Sequence, residues 1–316
     1  MNSDLSDPTV ARATTESGNS ALWNRVVRGV YRAGWRTVGA VPPALLRPPT
    51  AAGAALAART RGRHLTNLRL NLSVASGRLA DDRLVAAALR SYLRTLTEVL
   101  SLPRWRPDEI VSRVQVPDAP RLRHRQAESG AIVVLPHSGN WDIAGVWLTH
   151  TYGQFATVAE RLKPESLYNR FVAYRESLGF EVLPLTGGAR PPSEILVERL
   201  DDNGLVCLMS DRDLTRSGVP VDFFGEQTRL PSGPAKLALQ TGAALLPAHT
   251  WFDGDGWGLR IHAPLDTSCG DIGRITQTLA DHFAAGIAEF PADWHMLQPQ
   301  WVADLSDERR ARLGGN

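Results

Sequence analysis

From Ala131 onward, short apolar runs alternate with helical patterns, and this restricts the chain's fold more than any other feature. Runs rich in β-branched and apolar residues fall at 131–136, 155–160, 180–185, 205–210, 244–251 and 257–263. Between them lie segments whose apolar residues recur three or four apart, near 141–150, 164–178, 191–202 and 233–242, with a last one at about 271–289. This order predicts an α/β fold with a central, mostly parallel β-sheet flanked by helices. The stretch from Val219 to Gly225 is expected as an edge strand or an extended loop, because Pro220 cannot donate to a central ladder. In open α/β sheets ligands bind beyond the carboxyl ends of the strands. The residues that follow each apolar run are therefore the candidates for chemistry.

The run Ala131–Leu135 is the most telling, because Pro136 and His137 follow it directly and Ser138, Gly139 and Asn140 form a turn into the apolar segment that starts at Trp141. A neutral imidazole at a strand end is a candidate general base. Asp142, five residues on, is a candidate carboxylate to orient it. The bland reading is a His that ends a strand and an Asp favoured by the dipole of a helix's first turn. A second carboxylate, Asp211, follows the run Leu205–Ser210. If both strands are parallel, their ends open on one crevice, and Asp211 approaches His137 across 74 positions. Either Asp142 or Asp211 can then fix the imidazole tautomer and stabilise the imidazolium.

Cations recur at the same sheet edge. Arg161 and Lys163 follow the run that ends near Glu160, Arg175 lies late in the next helix, and Arg212 lies between Asp211 and Asp213. Arg229 belongs to a loop that leads into a helix near Lys236, whose free N–H groups can hold a phosphate. For any one arginine a solvated face is the default, and Arg212 can equally pair with Asp213. Together they point to a substrate that carries phosphates.

The front of the chain has a different character. Up to Val74 there are ten Arg and no Lys against three acidic residues, a charge of +7, so the rest carries +2 minus +7, or −5. Residues 1–20 read as disordered. From Ala21, Trp23, Val26, Val27, Val30, Tyr31, Trp35 and Val38 are spaced for one helical face, with Arg25, Arg28, Arg32 and Arg36 in an opposing stripe. Such a helix can lie in the interface of an anionic membrane, each Arg near the surface adding roughly 1 kcal/mol. It can equally be an amphipathic helix packed on the core. The expected layout is a basic helical region over 21–118 packed on an α/β domain over 119–303, then a tail over 304–316.

Several classes are disfavoured. No run of apolar residues is long enough to span a membrane, and the N-terminus lacks the basic and apolar regions of a secretory signal. Cys207 and Cys269 are too few for a disulfide framework or a metal knuckle, and Cys207 reads as a core residue, in keeping with a reducing cytoplasm. There is no Gly-x-Ser-x-Gly elbow, no glycine-rich nucleotide loop and no metal-ligand spacing. No nucleic-acid partner, metal or bound cofactor is expected.

The stretch from Leu135 to Gly145 resembles the His-x4-Asp/Glu motif of the lysophospholipid-acyltransferase superfamily, in particular its bacterial lipid A biosynthesis acyltransferase branch. Asp211-Arg212-Asp213, Phe223-Phe224-Gly225, Gly233–Ala238 and Gly242–Pro247 match that branch in order and spacing, and the resemblance covers roughly 25–300. Within it, the chain is most similar to the actinobacterial acyltransferases of phosphatidylinositol mannosides. The resemblance implies transfer of a fatty acyl chain from acyl-CoA to a mannose hydroxyl of such a glycolipid at the inner face of the cell membrane. His137 would be the base, Asp142 and Asp211 its carboxylate partners, and Arg175 and Arg212 substrate contacts. No acyl-enzyme is expected, and N–H groups of the Gly139-Asn140 turn are expected to hold the oxyanion. The alternatives are a different glycolipid acceptor with an acyl carrier protein as donor, or a peripheral lipid-binding protein without catalysis.

Overall fold

The computed structural model describes residues 37–161 and 164–314. The amphipathic stretch bearing Trp23, Arg25, Arg28, Arg32, Trp35 and Arg36 lies outside the described residues, as does Lys163.

The described chain opens with helices. α1 (Pro43–Ala57) starts on Pro43, whose missing N–H costs nothing in a first turn, and runs through Pro48 and Pro49. α2 (Arg63–Ser76) is closed by Gly77 in the left-handed conformation. α3 (Asp82–Ser101) starts under Asp81, whose carboxylate accepts from the Leu84 N–H. Ala54, Ala58, Leu68, Leu72, Val85 and Leu89 pack these three helices into a core of their own. Short α4 (Pro107–Val111), β1 (Val114–Gln115) and α5 (Ala119–Ser129) lead into the sheet.

The rest alternates as the apolar runs predict: β2 (Ala131–Leu135), α6 (Trp141–Tyr152), β3 (Phe155–Ala159), α7 (Glu165–Ser177), β4 (Phe180–Pro184), α8 (Pro192–Asp201) and β5 (Leu205–Met209). A hairpin, β6 (Val219–Phe223) and β7 (Glu226–Leu230), precedes α9 (Gly233–Thr241), β8 (Ala244–Asp253), β9 (Gly256–Ile261) and α10 (Ile272–Glu289). The seven-stranded sheet has the order β1-β9-β8-β2-β5-β3-β4. Five strands are parallel, β9 runs antiparallel to β8, and β1 follows β9. All five residues of β2 are buried. Ile132 and Val134 join the cluster under α8, α9 and α10, while Val133 and Leu135 join the one under α5, α6 and α7. Two apolar faces explain why this strand reads as an unbroken apolar run.

Three elements depart from expectation. Val219–Phe223 is a strand, but of a separate two-stranded sheet whose partner, β7, lies where a loop is expected. Phe224 and Gly225, both at positive φ, form its two-residue turn. Arg229 therefore lies on a strand rather than in a loop that feeds a helix. α11 (Asp307–Gly314) is a largely exposed helix where a tail was expected. No helix among the described residues is long and apolar enough to cross a membrane.

Candidate active site

β2 and β5 are parallel neighbours with Leu135 opposite Met209. The chain therefore leaves both strands at one edge, and the Ser210 N–H extends the ladder to the Leu135 carbonyl, 2.9 Å away. Two residues beyond each strand stand His137 and Asp211. His137 Nδ1 lies 2.6 Å from Asp211 Oδ1, and the His137 backbone N–H donates to Oδ2 at 3.0 Å. The Trp294 indole N–H donates to the same Oδ2 at 3.0 Å, and Gln300 Nε2 donates to the Asp211 carbonyl at 2.8 Å. A carboxylate only accepts, so the imidazole proton belongs on Nδ1 and the lone pair on Nε2. The Asp211 side chain has no exposed surface, whereas that of His137 is 42% exposed.

Burial disfavours the imidazolium, but the Asp211 charge and hydrogen bond outweigh it, while Arg175 and Arg212 oppose; the net effect raises His137 above its ordinary 6.5. Burial would push the Asp211 carboxyl up, yet the His137 charge and the donors from His137 and Trp294 hold it below its usual range. The pair is poised to take a proton on Nε2 and stabilise it.

Asp142 is placed differently. It is buried in the first turn of α6, where Asn140 caps the helix by accepting from the Ile143 N–H. Arg175 grips it, Nε to Oδ1 at 2.8 Å and Nη2 to Oδ2 at 3.3 Å. Of the two carboxylates that the sequence left open, Asp211 touches the imidazole and Asp142 holds Arg175. Burial would lower the Arg175 guanidinium, but Asp142 overrides it and raises it. Burial also pushes the Cys207 thiol of β5 up to about 12.

The remaining cations diverge. Arg212 Nε donates to the Pro299 carbonyl at 2.9 Å, and burial lowers its guanidinium. Asp213 instead accepts from Thr215 and Ser217, so the Arg212–Asp213 ion pair is not formed. Arg229 braces the 213–218 loop through the Gly218 and Arg216 carbonyls. Arg161 pairs with Glu165 and donates to the Gly187 carbonyl. The structure thus brings Arg175 and Arg212 near His137 and commits Arg161 and Arg229 to local structure.

A segment that the sequence had not marked closes the back of the site. The His295 N–H donates to the His137 carbonyl at 2.8 Å, and the Gly139 N–H donates to the Asp293 carbonyl at 2.8 Å. The latter bond removes Gly139 from the expected oxyanion donors. Burial and nearby His137 push His295 down to about 3, and Trp141 packs edge-on against both rings. The signal available in sequence was the density of Trp, His and Gln between Phe290 and Trp301. Among the described residues no three His, Cys, Asp or Glu side chains converge as metal ligands would.

Comparison with known proteins places the chain in a family. The sequence model for bacterial lipid A biosynthesis acyltransferases matches residues 22–303. The phosphatidylinositol mannoside acyltransferase of Mycolicibacterium smegmatis is 60% identical over 304 residues, spanning 95% of this chain and 99% of the relative. That of Mycobacterium tuberculosis is 54% identical over 293 residues, spanning 90% and 91%. The chain belongs to the bacterial lipid A biosynthesis acyltransferase family.

Proposed function

We propose that the protein moves a fatty acyl chain from acyl-CoA to a mannose hydroxyl of a phosphatidylinositol mannoside, as a peripheral enzyme on the cytoplasmic face of the cell membrane. The observation that carries the reaction type is the His137–Asp211 pair beyond β2 and β5, with Nδ1 held and Nε2 free of any bond to a described residue. The acceptor rests on the names of the two relatives.

In this mechanism the acceptor hydroxyl gives its proton to His137 Nε2 as its oxygen attacks the thioester carbonyl. Asp211 stays ionised and stabilises the imidazolium. The tetrahedral intermediate collapses, the C–S bond breaks, and the departing CoA thiolate recovers the proton from Nε2. The acyl group passes directly from sulfur to oxygen, so no covalent enzyme intermediate forms. Arg212, close enough for its charge to oppose that of the imidazolium, suits a phosphate of donor or acceptor. The arginine-striped helix expected over 21–38 would bring this edge to an anionic lipid surface.

The test is an incubation of the purified protein with isotope-labelled acyl-CoA, or with the same chain on acyl carrier protein, against a panel of glycolipids, followed by mass analysis. The expected product is a phosphatidylinositol mannoside carrying one added acyl chain on mannose, with acyl-CoA as donor. Acylation confined to a lipid A-type acceptor would replace the acceptor, and acylation only from the carrier protein would replace the donor. No acylated lipid under any condition would leave a lipid-binding protein.

A further inference from the structure

α3 carries an anomaly on its buried side. Ser91, Thr95 and Glu98 are spaced four and three apart, so they share one helical face, and all three are buried. A carboxylate buried this deeply is costly unless it is paired and hydrogen-bonded. Both Glu98 oxygens are engaged, by three donors in all: Oε1 accepts from Arg94 Nε at 2.7 Å, and Oε2 accepts from Asn140 Nδ2 at 2.8 Å and the Trp257 indole N–H at 2.9 Å.

Each residue of this stripe grips the catalytic turn or the segment behind it. Asn140, held by Glu98 through its amide nitrogen, uses its amide oxygen to cap α6. Thr95 donates to the Gly139 carbonyl at 2.8 Å. The Ser91 hydroxyl gives its one proton to Asp293 at 2.6 Å, so it accepts from His295 Nε2 at 2.9 Å. Asp293 and His295 are in turn bonded to Gly139 and His137 through their backbones.

We propose that Glu98 is a positioning residue for acyl transfer: through Asn140 it fixes the 137–140 turn and thereby holds the His137 imidazole against Asp211. The proposal rests on the reading of His137 as the base. Glu98 is buried beneath the turn, so it sets the geometry of the proton-accepting ring and makes no contact with substrate. The groups that face that ring, Asp211, Arg175, Arg212 and His295, are left unchanged by any substitution at Glu98. Losing the tether would lengthen the contact between His137 and Asp211, which is the contact that favours the imidazolium.

Two variants test this beside the wild type and His137→Ala. In Glu98→Gln the amide has one accepting oxygen and cannot serve Arg94 together with Asn140 and Trp257. In Asn140→Ser the helix cap is retained and the tether alone is lost. Both are expected to lower kcat about tenfold or more, as displaced supporting hydrogen bonds do. KM for donor and acceptor should change by less than about twofold, since uniform binding is untouched. The acid limb of the rate profile should move to lower pH. A wild-type kcat in both variants overturns the proposal. So does a fall in kcat with an unmoved acid limb, which is the mark of less folded enzyme rather than a displaced base. If Glu98→Gln does not fold, Asn140→Ser decides by the same criteria. An inactive wild type, or an active His137→Ala, removes the reading of the site itself; wild-type rates in both variants beside an inactive His137→Ala remove the tether alone.

Discussion

Asp211 and Asp142 are both buried aspartates, yet their partners give them different work. Asp211 faces His137, so Asp211→Asn is expected to lower kcat about 10³–10⁴-fold by favouring the wrong tautomer, with little effect on folding. Asp142 faces Arg175, and Asp142→Asn leaves that guanidinium without its counter-ion. It is expected to lose about 3 kcal/mol of stability, with a smaller effect on rate. Melting curves and steady-state rates on both variants check this, and equal, mild effects would remove both from the assignment. The pH dependence follows from the raised His137 value. Folding favours the imidazolium, so the contribution of His137 to stability is complete below 6.5 and is lost as pH rises through the raised value. Activity runs the other way, because the base form fills as pH rises through that value. The acid limb should therefore lie above 6.5 in the wild type and move down in Asp211→Asn.

At the scale of elements, the 137–140 turn is locked from several sides. Gly139 sits at φ +55, and a Cβ there would fall 2.8 Å from the Thr250 carbonyl oxygen. Gly139→Ala is expected to cost about 2 kcal/mol through strain and crowding, with a fall in rate, as read by denaturation and turnover; unchanged values in both would contradict the account. Six of the seven strands of the central sheet were legible as apolar runs, whereas β1 is only two residues long. β7 was not legible, because Glu226–Leu230 is mostly polar and its turn uses Phe224 at positive φ instead of Asn or Asp. The polar part of the buried face of α3 was illegible for a related reason. Apolar periodicity over 80–102 places Leu84, Ala88, Leu89, Tyr92, Leu93, Leu96, Val99 and Leu100 inward; Ala88, Leu89 and Val99 are buried, but Leu96 is 40% exposed, and Ser91, Thr95 and Glu98 are buried beside them. Periodicity assumes that polar residues face water, and a buried polar stripe breaks that assumption.

Across the whole molecule, the candidate site depends on chain segments far apart in sequence. His137 and Asp211 could be paired in advance because parallel strands deliver their ends to one edge. Which carboxylate touches the ring could not, because spacing does not give the direction of a side chain. The arrival of Trp294 and Gln300 depends on a crossing that no local pattern encodes. The charge asymmetry leads to a further expectation: removing residues 1–36 should weaken flotation with anionic liposomes, and added salt should weaken binding of the intact chain. Flotation unchanged by truncation would make the basic stretch core packing. The central claim concerns His137, and the most direct measurement is the steady-state rate of acyl transfer by His137→Ala, with acyl-CoA binding measured in parallel. The expected result is a loss of about 10²–10⁴-fold in kcat with donor binding retained. Turnover near the wild-type rate would contradict the account.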